Sequence, residues 1–168
     1  MSPTPLTGPL GPISLMALAR HLHGVSWVVN QPIAGLTTLT PVRGQIVVRH
    51  LGDALELDGQ AEAIVTLCCD RCLQHFNHGL KVQQHELLDI VTTPAATTPA
   101  AGDLDLVPDE RLDPRGTFDP ERWFFEQLSL QQPTVNRCGP DCPGPPSWGD
   151  GHGAGDPRWA SLGRLRPS

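Results

Sequence analysis

Apolar and polar positions alternate most clearly in the first half of the chain, where they predict strands. Arg43-Gly44-Gln45-Ile46-Val47-Val48-Arg49 is rich in β-branched residues, and Leu55-Glu56-Leu57-Asp58 alternates leucine with carboxylate. Glu62-Ala63-Ile64-Val65-Thr66-Leu67 keeps the same two-residue period less cleanly, and residues 80–88 resume it. Gly52-Asp53 and Asp58-Gly59 supply turn or bulge chemistry between or within these runs. The pattern predicts an antiparallel β-sheet meander of about four or five strands. Ahead of it, Pro3, Pro5, Pro9 and Pro12 punctuate a segment expected to be disordered. Residues 13–22 are amphipathic and read as one short helix lying on the domain, so residues 1–35 form an N-terminal tail.

A helical pattern appears later. Asp119 can cap exposed N–H groups, Pro120 suits the first helical position, and Glu121 favours the positive end of the helix dipole. Phe118 and Trp123 are placed for a hydrophobic staple, and Phe124, Phe125 and Leu128 form a stripe to pack on the sheet. The helix should end near Leu130, before Pro133. The fold class is therefore α+β: a meander with one principal packed helix.

Low-complexity chain divides these elements. TTPAATTPAAG, residues 92–102, has neither periodicity nor large apolar groups and is expected to be a disordered linker. The acidic run at 103–113 reads as a solvated loop, or as an arm for a basic partner. Residues 145–155 are a Pro/Gly-rich tether, and residues 156–168 carry a terminal segment suited to docking as a short helix. The folded domain accordingly spans 36–144.

Composition narrows the class. With 168 residues, 39% of them hydrophobic, the chain can bury one core of moderate size. A formal charge of −6 repels polyanions, and no run of basic residues offsets it. The N-terminus lacks the basic opening and unbroken apolar stretch of a signal peptide, and no segment is suited to span a bilayer. We expect a cytoplasmic protein with no membrane association. In a reducing compartment, paired cysteines point to metal or redox chemistry rather than to structural disulfides.

Two cysteine pairs are the chemical feature of the sequence. Cys69 and Cys72 flank Asp70-Arg71, and Cys138 and Cys142 flank Gly139-Pro140-Asp141. Each spacing lets a tight turn aim both sulfurs at one point, so Cys69, Cys72, Cys138 and Cys142 together could clasp a structural Zn²⁺ with no open coordination position. For the first pair, Asp70-Arg71 must turn, which fits a knuckle at a hairpin tip. Cys68 is left over and is expected on the buried face of the sheet as a small hydrophobe. His75 and His78 read as surface residues and as reserve ligands. Two competing readings are a reactive Cys-x₂-Cys dithiol, with Arg71 lowering a thiol pKa, and reduced thiols that merely pack. Strand flanks on both sides, with no βαβ pattern, argue against the dithiol. No phosphate loop, nucleophile elbow or helix-borne metalloprotease motif occurs, so a non-enzymatic role is expected.

Five motifs, in order, resemble the YceD family of large ribosomal RNA subunit accumulation proteins, and most of all its cyanobacterial and plastid branch. They are Thr40-Pro41-Val42-Arg43-Gly44, Cys69-Asp70-Arg71-Cys72-Leu73-Gln74, the FDPERWFFEQLSLQQP helix, Cys138-Gly139-Pro140-Asp141-Cys142-Pro143-Gly144, and Asp156-Pro157-Arg158. The resemblance implies a part in accumulation or processing of the large-subunit 23S ribosomal RNA without established enzymatic activity. Joined to the negative charge, it implies a basic ribosomal protein or a pre-large-subunit particle as partner. Direct RNA binding and thiol oxidoreduction are the alternatives. Between Pro41 and Val91 the basic residues Arg43, Arg49, Arg71 and Lys81 are outnumbered by Asp53, Glu56, Asp58, Glu62, Asp70, Glu86 and Asp89, which weighs against RNA.

Overall fold

A computed structural model describes residues 2–91 and 111–145. In chain order the elements are β1 (Thr4–Leu6), β2 (Ile13–Ser14), α1 (Leu15–Leu18), β3 (Val25–Gln31), β4 (Val42–His50), β5 (Ala54–Cys68), β6 (His75–Asp89), β7 (Thr117–Phe118) and α2 (Pro120–Leu130). The main sheet has the order β1-β3-β4-β5-β6, and β2 pairs with β7 in a separate two-stranded ladder. From β3 to β6 each strand pairs antiparallel with the next, as the meander requires. The sheet is nevertheless mixed, because β1 runs parallel to β3, with Thr4 opposite Val25 and Leu6 opposite Trp27.

The alternation has a physical outcome in every long strand. Leu55, Leu57, Ala61, Ala63 and Val65 of β5 are buried, while Asp58, Gln60, Glu62 and Thr66 face outward and are exposed. Val25, Trp27 and Val29 of β3, Ile46 and Val48 of β4, and Leu80 and Val82 of β6 complete the inner face. Leu15 and Leu18 of α1 and Trp123, Phe124 and Leu128 of α2 close the core against it. The opposite face of the sheet carries most of the polar side chains, with Val28, Ile64 and Leu87 exposed among them.

α2 begins and ends where its sequence dictates. Asp119 Oδ1 accepts from the N–H groups of Glu121 and Arg122 at 3.0 and 3.2 Å, and the last helical residue is Leu130. Trp123 Nε1 donates to Glu86 Oε2 on β6 at 2.7 Å, and Glu121 Oε1 accepts from the Ala34 N–H at 2.9 Å. These two bonds fix the helix against the sheet and against the β3–β4 connection.

Several expectations need correction. The first 35 residues are not a tail: they supply β1, β3 and the core residues Leu10, Leu15, Leu18, Val25, Trp27, Val29 and Ile33. Residues 13–22 do not form one helix, since Ile13–Ser14 is a strand and the helix spans Leu15–Leu18 under the Ser14 cap. The chain then leaves through His21 to Gly24, where Leu22 is exposed and Gly24 has φ +77°. Gly52 does lie in a turn, closed by the Leu51 N–H donating to Ala54 O at 2.8 Å. Asp58-Gly59 is instead the middle of one uninterrupted strand. The linker at 92–102, nearly all of the acidic run at 103–113, the tether beyond Pro145 and the docking segment at 156–168 lie outside the described residues.

A four-cysteine clasp as the candidate functional site

β5 and β6 pair over their full lengths, from Ala54 opposite Asp89 to Cys68 opposite His75. β4 pairs with β5 only as far as Glu62, so the far end of the hairpin projects beyond it. There the β3–β4 connection takes over: the Leu39 N–H donates to Ile64 O at 2.6 Å, and the Ile64 N–H donates to Thr40 Oγ1 at 3.2 Å.

The hairpin tip is the turn that the first cysteine spacing calls for. The Cys69 N–H donates to Gln74 O, and the Leu73 N–H donates to Cys69 O, both at 2.9 Å. Leu73 adopts φ +62°, a left-handed conformation that helps the short connection at 69–74 reverse the chain. Reversal at Asp70-Arg71 turns Cys69 and Cys72 to one side, against the alternation of a straight strand.

The second pair arrives on the segment that follows α2. Asp70 locks that segment to the tip reciprocally: its N–H donates to Asn136 O at 2.9 Å, and its Oδ2 accepts from the Asn136 N–H at 2.7 Å. Cys69 Sγ then lies 3.9 Å from Cys142 Sγ, and Cys72 Sγ lies 3.6 Å from Cys138 Sγ. All four sulfurs lie within 4.8 Å of one another. Cys69 is buried, and Cys72, Cys138 and Cys142 are half-buried.

Local fields divide the thiols. The Cys69 thiol is drawn down to about 6 by the N–H of Cys72 and then that of Arg71, which outweigh its burial. For Cys72 the Gln74 N–H pulls downward, but burial and the Cys69 sulfur prevail and the thiol rises. Cys138 is pushed up to about 12 by the neighbouring Cys142 sulfur and by burial. A depressed pKa alone does not make Cys69 a redox nucleophile, because reactive thiols are partly exposed and Cys69 is wholly buried.

All four predicted ligands thus converge, and the arrangement is close enough to hold a metal ion. Cys68 does not join them. It is exposed rather than buried, because Leu67 takes the inward position of the strand, and its Sγ points to Leu73 O at 3.4 Å. His75 and His78 also stay outside the group, His75 opposite Cys68 and His78 opposite Val65 in the ladder.

Two features of the structure have no local signature in the sequence. The Asp70–Asn136 lock joins residues 66 positions apart, and no local pattern announces it. The outward face of the sheet forms a concavity of about 490 Å³ lined by Arg43, Gln60, Glu62, Lys81 and Gln83 together with Gly44, Ala61 and Val82. Its signal lay in the polar phase of the alternating strands, once their register was known. At Gly44 a Cβ would run into Gln60 O and sit 2.7 Å from Ala61 Cα, so glycine lets β5 approach closely there.

Sheet, helices and site together define a mostly β module in which four free thiols from the β5–β6 hairpin tip and from the segment after α2 come together at one point. The chain belongs to the YceD family: the family described as large ribosomal RNA subunit accumulation protein YceD matches residues 57–166. That span takes in most of β5, all of β6 and α2, and all four clustered cysteines. No curated protein and no solved structure matches the chain. Among the described residues, no helix is long and apolar enough to cross a membrane.

Proposed function

We propose that this chain is a non-enzymatic accessory factor in large ribosomal subunit biogenesis, supporting accumulation or processing of 23S ribosomal RNA by binding a basic ribosomal protein or a pre-large-subunit particle. Membership of the YceD family over residues 57–166 is the observation that carries this reading. In it the cysteine clasp serves architecture, holding hairpin and helix in one unit.

The surface favours a protein partner over naked RNA. Single-stranded RNA is held largely by stacking of bases on exposed aromatic rings. Among the described residues Trp27, Phe118, Trp123 and Phe124 are buried, and Phe76 and Phe125 are half-buried. Phe76 pairs with Leu67, which packs against the core, so the ladder puts it on the inner face as well. The outward face presents Asp58 and Glu62 with Gln45, Gln60 and Gln83 and, beside Glu62, the cations Arg43 and Lys81, a mixed polar surface suited to hydrogen bonding and ion pairing with a protein.

One observation supports direct RNA contact as the second reading: Arg43 and Lys81 flank Glu62 in the same concavity. Affinity purification of the tagged protein from its native cell decides between them. The first reading expects ribosomal proteins or precursor large-subunit particles in the eluate, surviving brief nuclease treatment at least in their protein component. Recovery of rRNA alone, with binding that falls steeply with salt, would favour the second. An eluate containing neither would count against both.

A further inference from the structure

We infer that Cys69, Cys72, Cys138 and Cys142 bind one zinc ion as a closed tetrathiolate centre, and that this ion is the fastening between the β5–β6 hairpin and the segment after α2. Geometry is the first support. A zinc–sulfur bond of about 2.3 Å puts the corners of a regular tetrahedron about 3.8 Å apart. The Cys72–Cys138 and Cys69–Cys142 separations, 3.6 and 3.9 Å, bracket that edge, and both run between the two pairs. The remaining separations, all under 4.8 Å, need only a small contraction to close round a single ion. A polynuclear iron–sulfur cluster distributes its cysteines over different irons and calls for wider spacing.

The surroundings are built for thiolates. Backbone N–H groups of Cys72, Arg71 and Cys138 lie near Cys69 Sγ, and that of Gln74 lies near Cys72 Sγ. N–H dipoles beside a sulfur offset the charge of a thiolate ligand. Four thiolates and one Zn²⁺ leave a double negative charge at the site. Arg71 and Arg137 border the adjoining concavity, beside Asp70 and Val135, where their charge counters it.

Zinc also answers a need of the fold. Residues 131–145 contain no helix or strand, and their backbone tie to the hairpin tip is the Asp70–Asn136 pair. A fully coordinated ion adds four covalent-strength anchors there, and zinc, having no redox chemistry, adds no reactivity.

The test uses the full chain, expressed and purified without added metal and under reducing conditions. Elemental analysis should find one zinc per chain, X-ray absorption should show four sulfur neighbours at about 2.3 Å, and Co²⁺ exchange should give the visible bands of a tetrahedral thiolate site. Cys142→Ser should lose the metal. Cys68→Ser and the double variant His75→Ala/His78→Ala should keep it in full, which distinguishes this ligand set from any local one at the hairpin. If Cys142→Ser fails to fold, absorption on the wild type still decides the ligand set. Wild-type protein that neither carries zinc nor takes up Zn²⁺ or Co²⁺ would overturn the inference. Nitrogen or oxygen neighbours, or stoichiometric iron with its own visible absorption, would also overturn it. Loss of zinc binding would leave the ribosomal reading standing, because that reading rests on the family and not on the metal.

Discussion

Trp123 lies edge-on across Gly59: a Cβ on Gly59 would fall 2.5 Å from Trp123 Cζ3 and closer still to Cη2, while the indole Nε1 donates to Glu86 Oε2 at 2.7 Å. The indole thereby uses one strand position without a side chain and one carboxylate on the neighbouring strand. This explains why glycine, a poor strand former, sits in the middle of a strand 15 residues long. Gly59→Ala should destabilise the domain by about 1–3 kcal/mol through forced displacement of the indole. Gly59→Val should cost more. Urea unfolding followed by tryptophan fluorescence measures both, and an Ala variant as stable as wild type would refute the packing argument.

The Asp119 cap makes a separable contribution to α2. Its Oδ1 satisfies two N–H groups that the helix cannot satisfy internally. Asp119→Ala should cost about 1 kcal/mol, and Asp119→Ser much less, since serine can also cap. Thermal unfolding of the two variants side by side checks this, with the Ser variant controlling for the lost charge.

The same two regions show what the sequence could and could not say about the fold. α2 was legible because its determinants are local: a cap, a proline at the first position and an apolar stripe all lie within twelve residues. Asp58-Gly59 reads as turn or bulge chemistry, yet the strand runs through it unbroken, because the reason for Gly59 is a tryptophan 64 positions away, which no window contains. Val25-Ser26-Trp27-Val28-Val29 had the strand period in plain view, but the prolines before it suggested a tail. Leu6 in turn became a strand residue only by pairing with Trp27. At the site, spacing was enough to name four converging sulfurs and to place the first pair at a hairpin tip. Spacing could not reveal the Asp70–Asn136 lock, nor that Cys68 faces outward, since both follow from register.

If zinc fastens the clasp, removing it should loosen one end of the molecule rather than the whole. The core of β3, β4 and the first half of β5 is held by apolar burial that does not involve the cysteines. Treatment with a strong chelator should raise amide exchange at residues 69–75 and 131–145 and leave residues 43–61 nearly unchanged. Mass-resolved hydrogen exchange reads this directly, and uniform acceleration would mean that the clasp supports the entire fold.

Zinc uptake should also strengthen as pH rises. Coordination requires thiolates, and in the metal-free site Cys138 is held up at about 12 and Cys72 is raised, so near neutrality both must lose a proton to bind. Cys69, drawn down to about 6, is already mostly ionised at pH 7 and begins to compete with protons only as pH falls through that value. Apparent affinity should therefore climb steadily from pH 6 to 8, with proton release on loading. Competition against a chromophoric chelator at several pH values measures the slope, and a flat profile would be incompatible with thiolate ligands.

Charge reversal on the outward face separates the two functional readings by sign. Asp58 and Glu62 are exposed on β5, away from the core and from the clasp. A basic protein partner is steered by such carboxylates, so Asp58→Lys/Glu62→Lys should slow its association by about tenfold or more at low salt, and high salt should narrow the gap. An RNA partner would respond in the opposite direction, because the double variant joins two lysines to Arg43 and Lys81 and removes the carboxylate between them. Co-purification of ribosomal precursors with wild-type and variant proteins, repeated at two salt concentrations, gives the sign. Weaker recovery supports the protein-binding surface, stronger recovery supports the RNA surface, and unchanged recovery moves the interface off this face of the sheet.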